Sequence, residues 1–165
     1  MIPEYSSAPA FYIRSWVSSM FLNSGIIDQA NYNNIDPVIP VQDIDRTSEQ
    51  LGKLPYIVYT YTPAPAVGDK FFVKEGLIYF SIFAVNFAQL VSIGEFLVDA
   101  LDRQDLTAND INGFSNIESI NFLRVKLIHS EIPIRMEEVQ GRYLHSLCFS
   151  YEYTRQMTDN GQFAF

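Results

Sequence analysis

Cysteine, histidine and tryptophan are scarce in this chain of 165 residues, which has one Cys, two His and one Trp. The single Cys148 excludes an internal disulfide, and no cysteine pair exists to hold a zinc ion. Cys148 lies between Leu147 and Phe149, an apolar setting typical of a buried packing thiol. One cysteine is consistent with a reducing compartment.

Basic residues are few as well, because 11 Lys and Arg stand against 19 Asp and Glu, for a net charge of -8. Phosphate contacts need Lys and Arg, so this balance disfavours a protein that coats nucleic acid. The 8 glycines are scattered, and none falls in a P-loop or a dinucleotide-binding pattern.

Long apolar runs are missing. The most apolar stretch, residues 76–88, is interrupted by Ser81 and Asn86 and is too short to span a bilayer. The N-terminus lacks the basic start and apolar run of a signal peptide. A soluble protein with no membrane partner is therefore expected.

Hydrophobic residues are abundant at 48%, with 13 Phe and 10 Tyr. This composition is typical of a packed core, and the length suits one domain. We expect a single domain over 1–165, ending in a tail over 156–165 that is free to move unless it docks.

Apolar periodicity predicts two helices, at about Pro9–Asn23 with Ser6 or Ser7 as its cap, and at about Phe87–Arg103. β-branched and aromatic runs predict strands over 54–62, 76–86, 120–134 and 143–153. Residues 71–74 fit either a short edge strand or the start of the next arm. Residues 43–49 and 105–119 are polar and are predicted to be loops.

The element order is helix, β-pair, helix, β-hairpin. It predicts an α+β fold in which two helices pack on one face of a mainly antiparallel sheet.

The two histidines fall in the two arms of the last predicted hairpin. If the turn centres near Gln140, His145 lies opposite roughly Arg135 and about 20 Å from His129, which disfavours a shared metal site. No G-x-S-x-G elbow is present. The sequence therefore predicts no catalytic residue, no metal ligand and no cofactor, and an enzyme is not expected.

Three carboxylates, Glu95, Asp99 and Asp102, follow each other at steps of four and three on the second helix. Three interpretations are open: a metal or acid–base site, a negative stripe facing a pore or a basic partner, and a solvated helix face.

Tyrosines recur along the predicted strands, and the face opposite the helices is expected to carry them. Such amphipathic rings suit a sheet face that is partly exposed to solvent, or a subunit interface. Stacking on single-stranded bases is disfavoured because few basic residues accompany the rings. The terminal Phe163 and Phe165 would be exposed unless they dock, either on their own domain or on a neighbouring subunit. The candidate interface residues are Tyr59, Tyr61, Tyr79, Tyr151, Tyr153, Phe163 and Phe165.

The layout over residues 9–155 resembles the tail-terminator or tail-completion proteins of tailed bacteriophages. The similar features are the N-terminal helix, the proline-broken segment leading into Leu54–Tyr59, the strand running directly into a helix at Leu77–Leu101, and the closing hairpin at 122–155.

The resemblance implies a structural virion protein of the tail or neck, assembled in the host cytoplasm. It would form a homo-oligomeric ring, expected to be a hexamer, which caps the tail tube and contacts tail-tube and neck proteins. DNA would pass through the centre without specific binding. An acidic lumen suits that passage, and Glu95, Asp99 and Asp102 are its candidate lining.

Other functions stay open. The chain could be another head–tail connector or a tail-tube component, which predicts a different oligomer or polymerisation. It could also be a dimeric ligand-binding module, which predicts a pocket, or an enzyme without a recognisable motif.

Overall fold

The computed structural model describes residues 8–63, 73–117, 119–131, 134–136 and 142–155. Its α-helices are α1 (Pro9–Leu22), α2 (Ile44–Leu51), α3 (Phe87–Leu101) and α4 (Asp105–Ser115). Its strands are β1 (Val38–Pro40), β2 (Tyr56–Pro63), β3 (Val73–Ala84), β4 (Ile120–Ser130), β5 (Ile134–Met136) and β6 (Arg142–Arg155). The predicted tail over 156–165 lies outside these residues.

The strands form one sheet in the order β1-β2-β3-β6-β4, and β5 pairs with the start of β6. β1 runs parallel to β2, whereas the other pairs are antiparallel. The chain is therefore an α+β fold with a mainly antiparallel sheet, which confirms the predicted fold class.

Composition explains the central strands, since β2 and β3 consist largely of β-branched and aromatic residues that fit a pleated surface. The predictions over 54–62 and 76–86 are confirmed. β3 begins at Val73, so Val73 and Lys74 belong to this arm, whereas residues 71 and 72 lie outside the described residues.

The strand predicted over 120–134 is divided. β4 ends at Ser130, and β5 follows at Ile134. Two β-bulges interrupt the pairing of β4 with β6, and they leave Leu123 and Ile128 without a partner opposite them. Such bulges bend a strand and redirect its side chains.

The two predicted helices are confirmed as α1 and α3, and both lie on the same face of the sheet. α3 buries Leu90, Ile93 and Leu97, at the spacing that an amphipathic helix requires. The predicted cap is wrong, because Ala8 rather than a serine occupies the N-cap position of α1.

Two further helices replace predicted loops. α2 covers most of the polar stretch at 43–49 and continues to Leu51, and α4 forms within 105–119. α4 packs beside β4 and buries Thr107, Ala108 and Ile111. Tertiary packing of this narrow face outweighs the weak helix propensity of its Asp, Asn and Gly residues.

The outer edge of β4 is closed by groups from α4 and from the end of α3. Asn112 accepts a hydrogen bond from the Phe122 amide and donates one to the Phe122 carbonyl, both at 2.8 Å. The Asp102 carboxylate accepts the Leu127 amide at 2.8 Å. The Gln104 carbonyl accepts the Val125 amide at 3.3 Å.

The outer edge of β1 is closed by an ion pair. Arg14 and Asp36 lie 2.6 Å apart. Asp36 accepts the Val38 amide at 2.9 Å, and the Arg14 guanidinium donates to the Val38 carbonyl at 3.1 and 3.2 Å. The last residue of this strand, Pro40, has no N–H to satisfy.

Candidate functional site

The two histidines lie closer together than predicted. His129 pairs with Cys148, and Arg135 pairs with Tyr143 rather than with His145. Cys148, which lies opposite His129, is three residues from His145 along β6, so the two histidine positions are offset by about 10 Å along the strands. Within the described ranges, no group of three or more His, Cys, Asp or Glu is placed to hold a metal ion.

His145 packs between the sheet and α3. Its Nε2 lies 3.1 Å from the Ser130 hydroxyl, and its Nδ1 is buried without a hydrogen-bond partner in the described chain. A Cβ added to Gly94 would lie 2.8 Å from that nitrogen. Burial lowers the pKa of His145, so the imidazole is neutral near pH 7.

Cys148 is buried, as its apolar neighbours predicted. Burial raises the pKa of its thiol, and a hydrogen bond with Tyr79 opposes that effect. A thiol with a raised pKa is a weak nucleophile. Cys148 therefore acts as a small packing residue on the sheet.

The strand tyrosines do not share one face, which corrects the prediction. The register pairs Tyr59 with Phe80 and Gly76 with Tyr151. Because side chains alternate along a strand, Tyr59, Tyr61, Tyr151 and Tyr153 lie on the face that packs against the helices. Tyr56 and Tyr79 lie on the opposite face.

The same tyrosines differ in how much surface they offer. Tyr151 is 2% exposed and Tyr153 is 7% exposed, and both pack against Phe122 in the core. Tyr59 and Tyr61 are half-buried, and the Arg14 guanidinium lies over the Tyr59 ring. The described fold therefore leaves Tyr151 and Tyr153 almost no area to bring to a second copy. The other two candidates, Phe163 and Phe165, lie outside the described residues.

Tyr79 is 37% exposed at the middle of the sheet face opposite the helices. Its cross-strand neighbours are small: Thr60 on β2 and Cys148 on β6. Two residue pairs further along, on the same face, the hydroxyls of Ser81 and Ser146 lie 3.2 Å apart. The immediate surroundings of the Tyr79 ring on this face are therefore small side chains.

The acidic stripe is divided by the structure. Glu95 and Asp99 are exposed on α3 and line a groove between α1 and α3. Asp102 follows the end of the helix, and its carboxylate is turned to the Leu127 amide of β4. The three residues therefore do not act as one continuous stripe.

The groove between α1 and α3 has a volume of about 660 Å³. Its apolar surface comes from Met20, Ile26, Phe96 and Ala100, and Met20 is 40% exposed. Such a volume falls in the range of protein ligand sites. We name this surface, bordered by Glu95 and Asp99, the α1–α3 groove.

The other polar groups of the α1–α3 groove are already engaged. The side chains of Asn23, Ser24 and Ser92 donate hydrogen bonds to carbonyls of their own helices or of the turn. Arg103 forms an ion pair with Asp110. Within the described chain, Glu95 and Asp99 have no hydrogen bond or ion pair, so they are the free charges of the groove.

A second surface, which the sequence pattern did not predict, lies on the outward side of β4. Leu123, Arg124, Lys126 and Ile128 are all exposed, and Ile128 is 52% exposed. Two of the four lie at the β-bulges. Strict alternation could not have revealed them, because a bulge breaks the period of two.

Comparison of the sequence with family models and with curated proteins finds no match to either. None of the helices in the described ranges is long and apolar enough to cross a membrane.

Proposed function

We propose that this chain is a structural virion protein of a tailed bacteriophage, a tail terminator whose ring caps the tail tube and joins the tail to the head or neck. Its partners would be copies of itself, tail-tube proteins and neck proteins. The ring is proposed to be a hexamer, with DNA passing through its centre.

One observation carries this proposal: two different apolar surfaces stay exposed on opposite sides of the sheet layer. The α1–α3 groove lies among the helices. The outward side of β4 presents Leu123 and Ile128. A closed ring uses head-to-tail contacts, so each subunit needs two unlike surfaces that bind each other.

The charge of the chain supports the same proposal. A net charge of -8 would give a ring whose central hole repels phosphate, so that DNA slides without sticking. The layout that resembles tail terminators, from the N-terminal helix to the closing hairpin, adds the expectation of a tail-tube partner.

The test is the solution mass of the purified full-length chain, measured by light scattering at several concentrations and two salt levels. A ring-sized species that shows a central hole by electron microscopy would support the proposal. A stable dimer that never grows would contradict it and favour a ligand-binding module instead. Open filaments would favour a tail-tube component.

A further inference from the structure

The α1–α3 groove combines an apolar surface with two negative charges. Its apolar surface includes Met20 and Phe96, and its free charges are Glu95 and Asp99. Among the described residues, Arg103 is the one cation that lines the groove, and it is paired with Asp110. An occupant that buries the floor would therefore have to bring its own positive charges, since two carboxylates left without partners in a dry interface are costly.

The outward side of β4 has the complementary chemistry. Arg124 and Lys126 are exposed there and have no hydrogen bond or ion pair within the described part of the chain. Their cross-strand neighbours are Glu152 and Ser150, so one carboxylate accompanies two cations. Leu123 and Ile128 supply the apolar area beside them.

We propose that the α1–α3 groove of one copy binds the outward side of β4 of the next copy. Glu95 and Asp99 then face Arg124 and Lys126 across the interface, and Met20 and Phe96 cover Leu123 and Ile128. This pairing rests on the proposed ring and names its interface. It places Glu95 and Asp99 between subunits, and so replaces their hypothetical role as a pore lining.

Because the α1–α3 groove and the outward side of β4 carry opposite charges, the pairing can be tested by charge reversal. One variant, Glu95→Lys with Asp99→Lys, makes the groove positive. The other, Arg124→Glu with Lys126→Glu, makes the strand negative. Each variant alone opposes like charges, and we expect its apparent dissociation constant to rise by about 100-fold or more. A 1:1 mixture restores opposite charges at every contact of an even-numbered ring, and we expect the ring to return.

The matched control for the groove variant is Glu49→Lys with Glu131→Lys, which raises the net charge by the same amount on exposed carboxylates outside both surfaces. It should assemble like the wild type. Rescue by mixing also shows that each reversed variant is folded, since misfolded chains would not recover. The rescued ring should weaken as salt rises, because the charges at the rim are screened.

The outcomes separate this inference from the proposed function. If the wild type forms a ring and the groove-reversed variant forms it equally well, the groove serves another partner or the lumen, and the pairing is refuted while the ring stands. If both variants keep the circular dichroism spectrum of the wild type and lose the ring, but the mixture does not restore it, the pairing is also refuted. If the wild type forms no ring at any concentration, the proposed function fails with it.

Discussion

Among the described glycines, Gly76 has the least room for a side chain. It pairs with Pro63 on one side and with Tyr151 on the other. A Cβ built on it would lie 2.4 Å from both Cζ and Oη of Tyr151 and 2.8 Å from Cε2. Contacts this short require that the ring or the backbone move.

The Tyr151 ring has little room to move. It is 2% exposed, and it stacks on Tyr153 with ring centroids 5.8 Å apart. Phe122 lies edge-on to it at 6.4 Å. We therefore expect Gly76→Ala to behave as an overpacking substitution, which typically costs about 1–3 kcal/mol of unfolding free energy.

Urea denaturation followed by circular dichroism measures this cost. The matched control is Gly113→Ala on α4, where nothing lies within 4 Å of the added Cβ. Alanine has the higher helix propensity, so this control should gain about 0.5–1 kcal/mol. In a Tyr151→Leu background the ring is gone, and the extra cost of Gly76→Ala should nearly vanish.

Two results would refute this reasoning. A Gly76→Ala protein as stable as the wild type would show that the ring shifts freely. An equal cost of Gly76→Ala with and without the Tyr151 ring would show that the cost does not come from their contact, since a real contact makes the two substitutions non-additive.

Three further predictions follow from single side chains. Burial lowers the pKa of His145 in the folded chain, so the unfolded chain binds more protons at this residue as the pH falls. The stability that neutral His145 allows is therefore complete above its ordinary pKa of about 6.5 and decreases as the pH falls below that value. Urea midpoints from pH 8 to 5 should therefore decrease less for His145→Gln than for the wild type, and parallel curves would contradict the assignment. Asp102→Ala removes the acceptor of the Leu127 amide and should cost about 1 kcal/mol, whereas Asp102→Asn keeps an acceptor and should cost less; equal thermal stability of the two variants would count against the bond. Asn112→Ala removes both hydrogen bonds to Phe122 and should cost about 2 kcal/mol, with faster hydrogen exchange of the Phe122 amide; unchanged exchange there would exclude this role.

Sequence patterns predicted the strands and helices whose signal is local. β2, β3 and α3 have the composition and spacing that those elements need on their own. α2 and α4 were missed because their stability comes from packing against the sheet edges, which no local window contains. The prediction of loops at 43–49 and 105–119 failed for that reason.

The prediction that the strand tyrosines share one face was wrong for a different reason. Tyr56 and Tyr59 are separated by three residues, and an odd separation on one strand places them on opposite faces. Whether Tyr79 lies on the same sheet face as Tyr56 or as Tyr59 depends on the register between β2 and β3, which only the structure supplies. The exposed residues of β4 depend on the bulges, so they too required coordinates.

The closed sheet edges have a consequence for how copies of this chain can join. Strand addition needs a row of free amides and carbonyls along an edge strand. On β1 the Arg14–Asp36 pair occupies the amide and the carbonyl of Val38. On β4 Asn112 occupies both groups of Phe122, and Gln104 and Asp102 occupy the amides of Val125 and Leu127. Neither edge therefore templates another strand along these positions. Copies that meet at these described positions would have to recognise each other through side chains, so a single substitution there can change which partner is accepted without disrupting the sheet.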